Sequence, residues 1–585
     1  MIKQQWIKGL GFKGFGLAAI VLSVLGLTGC QQTAGQAVDQ TTEKTMDTAA
    51  HKDNYRQFNV LAVNDLYNVE GIDARKSGGM SRLRTLRKQL NTPHEQVLLL
   101  HAGDFLFPSS MSSQYQGEQM IDLMNGLNGP DKQFDERFFV VFGNHEFDKK
   151  AMKYADMLAQ RIEESNFYWL GSNVHLDQKA QRDSEAFRKS LINNAITEIN
   201  GIKVGIYGLT TDIAIPEYAS IDADYVGISK RNIADLKARG AEVVIAVTHL
   251  RIHKDEQLLK SLGDEGPDVI FGGHEHARQH VCVGKRCVLK ADADLRSATI
   301  ASITVSPVGE VSISHRYNVI DESTIAVDPE LEQRTNYWIN RYQSEYCQKH
   351  DQGEGCLLEV LGKADVTLVA EELQIRKYET NLGSYVADQM IRAFDNIELP
   401  GGRKVQIGLV NAGSLRLNQN IPAGTELNEW YLNGIFQYPV DLRLLEISGK
   451  TLKQVVTRSV EDWTGNGWFL QVSGMAFRHD AKTQQISHLS LVDSEGNITP
   501  VKDDDKILAS VNNYMADPSI ADQDGYTMLN LESQVFYADK LIALKQAVVN
   551  DIKAKWAVGE GIAPKLAGRI CSSARPFTYC LLDKK

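Results

Sequence analysis

The chain has 585 residues, of which 43% are hydrophobic and 23% are charged, so it is long enough to form more than one globular core. This composition excludes a small disulfide scaffold and a largely disordered chain. The 63 lysines and arginines are outnumbered by 74 aspartates and glutamates, and the resulting formal charge of -11 gives no attraction toward polymeric nucleic acid.

The N-terminus has the layout of an export signal. Three lysines within the first 13 residues precede an uncharged stretch over residues 14–27, which is short for a membrane span of about 20 residues. The next residues, Leu27-Thr28-Gly29-Cys30, resemble a bacterial lipobox, which implies cleavage before Cys30 and lipidation of its sulfur. We therefore predict a signal peptide over residues 1–29; a permanent transmembrane helix is the alternative.

The segment after Cys30 predicts a tether. Residues 30–54 are rich in Gln, Thr, Ala and Asp and have hardly any large apolar side chain, so they cannot form a core. We expect a flexible connection between the lipid and the folded chain.

Short apolar runs recur from residue 58 onward and predict buried strands. Amphipathic segments over residues 80–90 and 118–127 separate some of them and predict helices, so the fold class is an α/β or α+β sandwich. The predicted strands cover residues 58–63, 97–100, 138–142, 243–247 and 269–271.

A polar cluster follows each of these strands. The clusters are Asn64-Asp65-Leu66-Tyr67, Ala102-Gly103-Asp104, Gly143-Asn144-His145-Glu146-Phe147-Asp148, Thr248-His249 and Gly272-Gly273-His274-Glu275-His276. In an open α/β sheet the carboxyl ends of the strands meet at one crevice, so we expect these side chains to converge there. A lone histidine such as His249 is usually structural, but five clusters in order indicate a metal centre.

The side-chain types suit a pair of divalent cations. Two cations a few ångströms apart need a bridging anion, for which Asp104 is suited, and neutral nitrogen and oxygen donors around it.

The pattern changes near residue 320. Asp328-Pro329 predicts a helix start, and apolar and aromatic side chains then recur at helical spacing from Leu331 to Tyr346. Strands and helices resume with new polar motifs. We therefore predict a first domain over residues 55–320, a linker with a helix over 321–364 and a second domain over 365–585.

Six further cysteines form three close pairs, which predict local disulfides in an exported chain. A thiolate metal site is the alternative, although no pair has the CxxC spacing. The pairs are Cys282 with Cys287, Cys347 with Cys356, and Cys571 with Cys580.

The order of the polar clusters resembles the calcineurin-like metallophosphoesterases, and more narrowly the bacterial 5′-nucleotidase and UDP-sugar hydrolase family. The resemblance covers most of residues 58–540, and GNHEFD followed by GGHxH is its most specific part. It implies a four-layer β-sandwich flanked by helices, a linking helix and a C-terminal α/β nucleotide-binding domain. It also implies that Asp65, Asp104 and His276 hold one cation, and that Asp104, Asn144, His249 and His274 hold the other.

Tyr67 departs from the family pattern, which has a ligating histidine at this position. A phenol has a pKa near 10 and ligates well only if the cation draws off its proton. Tyr67 is therefore either a weaker metal ligand or a side chain that packs beside the site.

The resemblance implies a mechanism with zinc or manganese as the first choice of metal and magnesium, cobalt or calcium as alternatives. A hydroxide that bridges two cations attacks phosphorus in line. His145 stabilises the transition state or donates a proton, and Asp148 orients its imidazole. The alternative for Asp148 is a carboxylate at a helix N-terminus.

The second domain carries the family's nucleotide-binding motifs in a looser form. They are Thr380-Asn381-Leu382-Gly383, Asn411-Ala412-Gly413-Ser414-Leu415-Arg416, Phe469-Leu470-Gln471-Val472-Ser473-Gly474 and Asp524-Gly525-Tyr526. The implied substrate contacts are Arg416 and, more weakly, Arg376 to phosphate, Asn411 to the base, Asp524 to the ribose, and Tyr438 with Tyr514 around the base. Each tyrosine alone is more often a packing residue.

We therefore predict a lipid-anchored, monomeric enzyme that removes phosphate from nucleoside 5′-monophosphates, exported and held on the periplasmic or cell-surface side of an outer membrane. The same chemistry on UDP-sugars, cyclic nucleotides or other diphosphates is one alternative. A surface lipoprotein that binds nucleotides without turnover is another, and Tyr67 motivates it.

Overall fold

The computed structural model describes residues 55–91, 96–213, 215–463, 465–517, 523–529, 535–575 and 580–583. The predicted signal peptide, Cys30 and the tether lie outside these ranges. Within them, every helix is too short or too polar to cross a bilayer.

Two packed sheets form the N-terminal half. In chain order its strands are β1 (Arg56–Val63), β2 (Val97–His101), β3 (Phe138–Val141), β4 (Tyr168–Leu170), β5 (Val174–Leu176), β6 (Leu191–Ile192), β7 (Asn194–Ile199), β8 (Ile202–Thr210), β9 (Ala219–Ile221), β10 (Val243–His249), β11 (Val269–Gly272), β12 (Gln279–Val283), β13 (Arg286–Lys290), β14 (Ser297–Val305) and β15 (Val311–Val319). One sheet has the order β15-β14-β1-β2-β3-β4-β6 and the other β12-β13-β11-β10-β8-β7.

Helices cover the outer faces of both sheets. They are α1 (Met80–Leu90), α2 (Ser110–Tyr115), α3 (Glu118–Asn125), α4 (Ala155–Glu164), α5 (Glu185–Ser190), α6 (Tyr225–Ala238) and α7 (Ile252–Leu262). Successive side chains of β1 explain the layers, because Val60 packs between the sheets whereas Leu61 packs against the helices. The central strands β1, β2, β3, β10 and β11 are apolar on both faces because both faces are buried. The predicted four-layer sandwich is confirmed.

The predicted linking helix is α8 (Pro329–Lys349). The Asp328 side chain accepts a hydrogen bond from the Leu331 backbone N–H at 3.1 Å, and proline occupies the first turn, as the sequence predicts. Arg84 of α1 forms a buried ion pair with Asp328 at 3.2 Å, so the helix start is fixed against the first sheet's outer layer.

The C-terminal half is a second α/β unit with its own core. Its strands are β16 (Gly362–Lys363), β17 (Ile407–Asn411), β18 (Glu426–Leu427), β19 (Asp441–Ser448), β20 (Leu470–Ser473), β21 (Met475–Asp480), β22 (Gln485–Val492), β23 (Ile498–Pro500), β24 (Lys506–Asn512), β25 (Val535–Ala543) and β26 (Ile570–Ser572). Its helices are α9 (Glu372–Ile375), α10 (Asn381–Arg392), α11 (Glu429–Ile435), α12 (Gly449–Val460), α13 (Asn513–Ala516) and α14 (Leu544–Ala557). The main sheet has the order β20-β17-β24-β19-β25, and the domain boundaries stay a prediction.

The three predicted cysteine pairs are disulfides. Cys282 and Cys287 lie opposite each other on β12 and β13. Cys347 in α8 is bonded to Cys356, and Cys571 in β26 is bonded to Cys580. Each bridge closes a short loop.

Candidate metal centre between two sheets

The polar clusters meet at the carboxyl ends of parallel strands from both sheets of the sandwich. β1, β2 and β3 run parallel in one sheet, and β10 and β11 run parallel in the other. The convergence was predicted from the geometry of an open sheet, whereas the strands that bear the clusters belong to two sheets. The apolar runs alone do not reveal which strands belong to which sheet. The donors still converge, since both sheets present their carboxyl ends to the same place.

Glycines permit this close approach. A Cβ on Gly103 would lie 2.7 Å from the Gly143 nitrogen and 2.8 Å from His249 Nδ1, and Gly103 has a φ of +83°. A Cβ on Gly273 would lie 2.5 Å from the Ala102 oxygen. Any larger residue at these positions would separate the loops that bear the donors.

Four predicted ligands have left-handed backbone conformations, which non-glycine residues rarely adopt. Their φ values are 50° for Asp65, 59° for Asp104, 89° for His274 and 58° for His276. Such conformations cost on the order of 1–3 kcal/mol each and cluster at functional sites, where the surrounding structure holds them in place.

One group of donors consists of Asp65, Asp104 and His276, whose ligand atoms all lie within 4.8 Å of one another. Tyr67 Oη lies 2.9 Å from His276 Nε2 and 3.4 Å from Asp104 Oδ2. The phenol therefore points at this group. Burial, with Asp104 and Asp65 nearby, raises the pKa of Tyr67 well above its usual value.

A second group shares Asp104. His249 Nε2 lies 3.1 Å from Asp104 Oδ2, and His274 Nδ1 lies 3.1 Å from Asn144 Oδ1. The His249 and His274 rings are 5.2 Å apart. The structure thus brings all the residues of the second predicted ligand set together, with Asp104 common to both sets.

The residues present fit divalent cations. His249 Nδ1 donates to the Ala102 carbonyl at 2.7 Å, which leaves Nε2 facing the Asp104 carboxylate. In the described part of the chain this buried Nε2 has no well-formed hydrogen bond. A proton on Nε2 satisfies this pair in the metal-free protein, a divalent cation would take its place, and carboxylate, imidazole and amide donors suit such ions.

The charges in the pocket agree with this fit. Although burial opposes ionisation, His249 holds the pKa of Asp104 at about 2, and His276 holds the pKa of Asp65 far below its usual range. Two adjacent buried carboxylates that are both ionised require positive charge beside them, which the protonated imidazoles supply here and which cations would supply in place of those protons.

Two buried charged residues hold the donor loops in place, and the sequence analysis assigned no role to either. Glu146 accepts hydrogen bonds from the backbone N–H groups of Gly143 at 2.6 Å and Asp104 at 2.9 Å, which joins the loops after β2 and β3. Lys290 donates to the Gly273 carbonyl at 2.9 Å and to Glu275 at 2.7 Å. For Lys290, the signal in the sequence was a lysine at the end of the apolar strand β13.

The predicted catalytic pair lies beside the pocket and contacts the C-terminal half. His145 Nδ1 lies 2.9 Å from Asp148 Oδ1, and the Tyr438 hydroxyl donates to Asp148 Oδ2 at 3.0 Å. Arg416 Nη2 lies 3.4 Å from His145 Nε2. The predicted phosphate contact and the predicted catalytic histidine are therefore neighbours.

The other predicted substrate residues lie in the C-terminal half. Asn411 Nδ2 donates to Asp524 Oδ2 at 2.7 Å, so the predicted base and ribose contacts are adjacent. Arg376 forms an ion pair with Glu372. Tyr514 lies in α13, and the stacking of Tyr438 and Tyr514 around a base stays a prediction.

This sandwich and its donor set define a calcineurin-like phosphoesterase, and that family's profile matches residues 58–278. Proteins of this class bind divalent metals. The family described as 5′-nucleotidase, C-terminal domain, matches residues 360–530. The chain therefore belongs to the 5′-nucleotidase family and is a phosphoester hydrolase.

Similar proteins span most of the chain. A snake venom 5′-nucleotidase from Crotalus adamanteus is 23% identical over 78% of each chain. The trifunctional nucleotide phosphoesterase protein YfkN from Bacillus subtilis (strain 168) is 23% identical over 89% of this chain, which spans 35% of that relative's length. The solved 5′-nucleotidase precursor from Thermus thermophilus has a TM-score of 0.70 at 21% identity, over 89% of this chain and all of that one.

Proposed function

We propose that the protein is a metal-dependent 5′-nucleotidase that hydrolyses nucleoside 5′-monophosphates. The observation that carries this proposal is the position of Arg416, which reaches from the C-terminal half to 3.4 Å from His145 beside the pocket of carboxylates and imidazoles. A guanidinium next to cation ligands is the environment that a phosphoryl group requires.

Two divalent cations, zinc or manganese, complete the site in this proposal. Asp65, Asp104 and His276 would hold one cation, and Asp104, Asn144, His249 and His274 would hold the other. When bound, the cations polarise the phosphoryl group and lower the pKa of a water molecule. Tyr67 lies against the first position.

The chain's own residues position the reacting groups. Arg416 binds the phosphoryl oxygens. Asp148 accepts a hydrogen bond from the Nδ1–H group of His145, which directs Nε2 of His145 toward the leaving oxygen. His145 is therefore the group that stabilises or protonates the leaving oxygen. Tyr438 holds the other oxygen of Asp148 from the C-terminal half.

The nucleoside lies against the C-terminal half. Asn411 and Asp524, joined by a hydrogen bond, provide polar contacts to the base and the ribose. Tyr438 and Tyr514 supply aromatic faces for the base, and Arg376 is a second cationic group for phosphate. Relatives named 5′-nucleotidases support this choice of substrate.

We further propose that the protein is an exported monomer anchored by a lipid on Cys30. The lipobox resemblance and the tether composition support this location. Replacing Cys30 with alanine should move the protein from the membrane fraction to the soluble fraction. An unchanged distribution would argue against the anchor.

The activity is tested with chain that lacks residues 1–30. Phosphate release from AMP, UMP, UDP-glucose and cyclic AMP is measured before chelation, after chelation, and after zinc, manganese or cobalt is restored. We expect release from the monophosphates that chelation abolishes and metal restores. Activity that survives complete metal removal would contradict the proposal.

Nucleotide binding without turnover is a second candidate, and the position of Tyr67 favours it. A phenol that keeps its proton is a poor ligand, so the first cation would bind weakly. Measurable nucleotide binding together with zero phosphate release in every metal would select this candidate.

A further inference from the structure

A carboxylate of the C-terminal half reaches into the candidate metal centre of the N-terminal half. Glu372, the first residue of α9, has its Oε2 atom 2.5 Å from His276 Nδ1. Both residues are buried, with exposed fractions of 2% and 7%. This is a direct contact between the two halves on a predicted cation ligand.

The contact determines which nitrogen of His276 faces the pocket. An ionised carboxylate only accepts, so Nδ1 carries a hydrogen, and Nε2 is the nitrogen left to bind a cation. His276 Nε2 lies 3.4 Å from Asp65 Oδ1 and 2.9 Å from Tyr67 Oη, inside the donor group. A carboxylate that accepts from the far nitrogen of a ligating histidine fixes the ring and raises its basicity.

Glu372 is held in place by its own half, and a chain of hydrogen bonds through Asn418 and Asp294 connects it to the loop that bears Tyr67. It pairs with Arg376, and its backbone N–H donates to Asn418 Oδ1 at 3.3 Å. Asn418 donates to Asp294 Oδ2 at 2.8 Å, and Asp294 accepts from the Tyr67 backbone N–H at 3.0 Å.

We propose that Glu372 is a positioning residue that makes cation binding at the first position depend on contact between the two halves. His276 is a fully oriented ligand only while the C-terminal half is docked. Because coupling between two equilibria is reciprocal, the cation favours the docked arrangement by the same factor. The proposal rests on the metal centre of the proposed function and not on its substrate.

Cation affinity is the direct test. Zinc binding is measured by competition with a chromogenic chelator in the wild type, E372Q and E372L. The matched control is S110A, which removes a 3.0 Å hydrogen bond from Ser110 Oγ to the Asn433 carbonyl between the halves without touching a ligand. We expect E372L to weaken one of two zinc equivalents about 10–100-fold, as lost support of a ligating histidine does.

E372Q should lie between the wild type and E372L, since its amide oxygen still accepts from Nδ1, and S110A should bind zinc as the wild type does. Equal affinities in the wild type and E372L, or an equal loss in S110A, would overturn the proposal. If E372L does not fold, a several-fold loss of zinc affinity in E372Q supports the proposal, and wild-type zinc affinity in E372Q overturns it.

Solution X-ray scattering tests the reciprocal effect. Zinc should make the chelated wild type more compact and should leave E372L unchanged; no change in the wild type, or an equal change in both, would overturn the coupling. These readouts do not need turnover. If the wild type releases no phosphate but E372L still loses zinc affinity, the proposed activity fails and the coupling stands.

Discussion

Tyr67 occupies the position at which the family pattern has a ligating histidine. Its hydroxyl lies among the donors, but burial, with Asp104 and Asp65 nearby, raises its pKa, so the phenol keeps its proton unless a bound cation draws it off. An imidazole offers a lone pair at neutral pH. Tyr67→His should therefore lower the manganese concentration for half-maximal phosphate release about tenfold, since each tenfold step needs only about 1.4 kcal/mol.

Tyr67→Phe is the control for this substitution, because it keeps the ring and removes the oxygen. A manganese requirement identical in the wild type, Tyr67→His and Tyr67→Phe would show that position 67 has no influence on the cation.

Asp148 acts through His145. Asp148→Asn removes the negative charge beside His145 and replaces one of the two accepting oxygens with an amide group, so kcat should fall about 10–100-fold with a small change in KM, as other weakened carboxylate–histidine contacts do. Asp212→Asn is the matched control, since Asp212 also accepts from a tyrosine hydroxyl, that of Tyr225 at 2.9 Å, outside the pocket. Steady-state kinetics on AMP decides; an equal effect of both substitutions would remove Asp148 from the mechanism.

The convergence of the predicted cation ligands could be expected from sequence, whereas the residues that hold those ligands in place could not. Each donor follows an apolar run, and its side-chain type restricts its chemistry. Glu146 satisfies backbone N–H groups of a loop that folds around it, and Glu372 reaches a histidine 96 positions earlier. Such contacts depend on tertiary packing, which no local pattern encodes.

The C-terminal end of α8 is fastened by the Cys347–Cys356 disulfide. The bridge joins residues that are 9 positions apart. A cross-link of this length lowers the entropy of the unfolded chain and thereby stabilises the folded protein by about 2–3 kcal/mol. The double variant C347A/C356A should lose about that free energy of unfolding in urea titration. C282A/C287A provides a comparison with a shorter loop, and an unchanged urea midpoint in C347A/C356A would contradict the account.

Strand β21 carries a buried histidine that makes stability depend on pH. His479 packs against Trp463, and neither of its ring nitrogens has a hydrogen-bond partner in the described ranges. Burial lowers the pKa of His479 to about 4. The folded protein therefore resists protonation that the unfolded chain accepts, so stability is complete above pH 6.5 and falls as the pH drops from 6.5 to 4.

Between pH 7 and pH 5 this histidine should remove about 2 kcal/mol from the free energy of unfolding. His479→Leu should remove that part of the pH dependence, even if it shifts stability at both pH values. Urea titrations at pH 7 and pH 5 measure the difference, and an identical pH dependence in both proteins would refute the role of His479.

The helices and strands were easier to predict from sequence than the pairing of the strands in sheets. The segment predicted as a helix over residues 80–90 is α1, and Asp328-Pro329 predicted the start of α8. The apolar runs became strands because both faces are buried. Their division between two sheets depends on pairings such as β10 with β8, which arise from long-range contacts.

The two halves of the chain form the candidate site together. Contacts that cross between them at the pocket include His276 with Glu372, His145 with Arg416, and Asp148 with Tyr438. Each joins residues that are 96 to 290 positions apart. The sequence predicted two domains, but their common pocket is a property of the assembled fold.

The central claim is that segments from both sheets enclose divalent cations around Asp104. Anomalous diffraction from crystals of the full chain grown with manganese tests it most directly. We expect two peaks, both at bonding distance from the Asp104 carboxylate, one beside His276 and the other beside His249. A map with no anomalous peak near Asp104, in crystals that hold manganese elsewhere, would contradict the account.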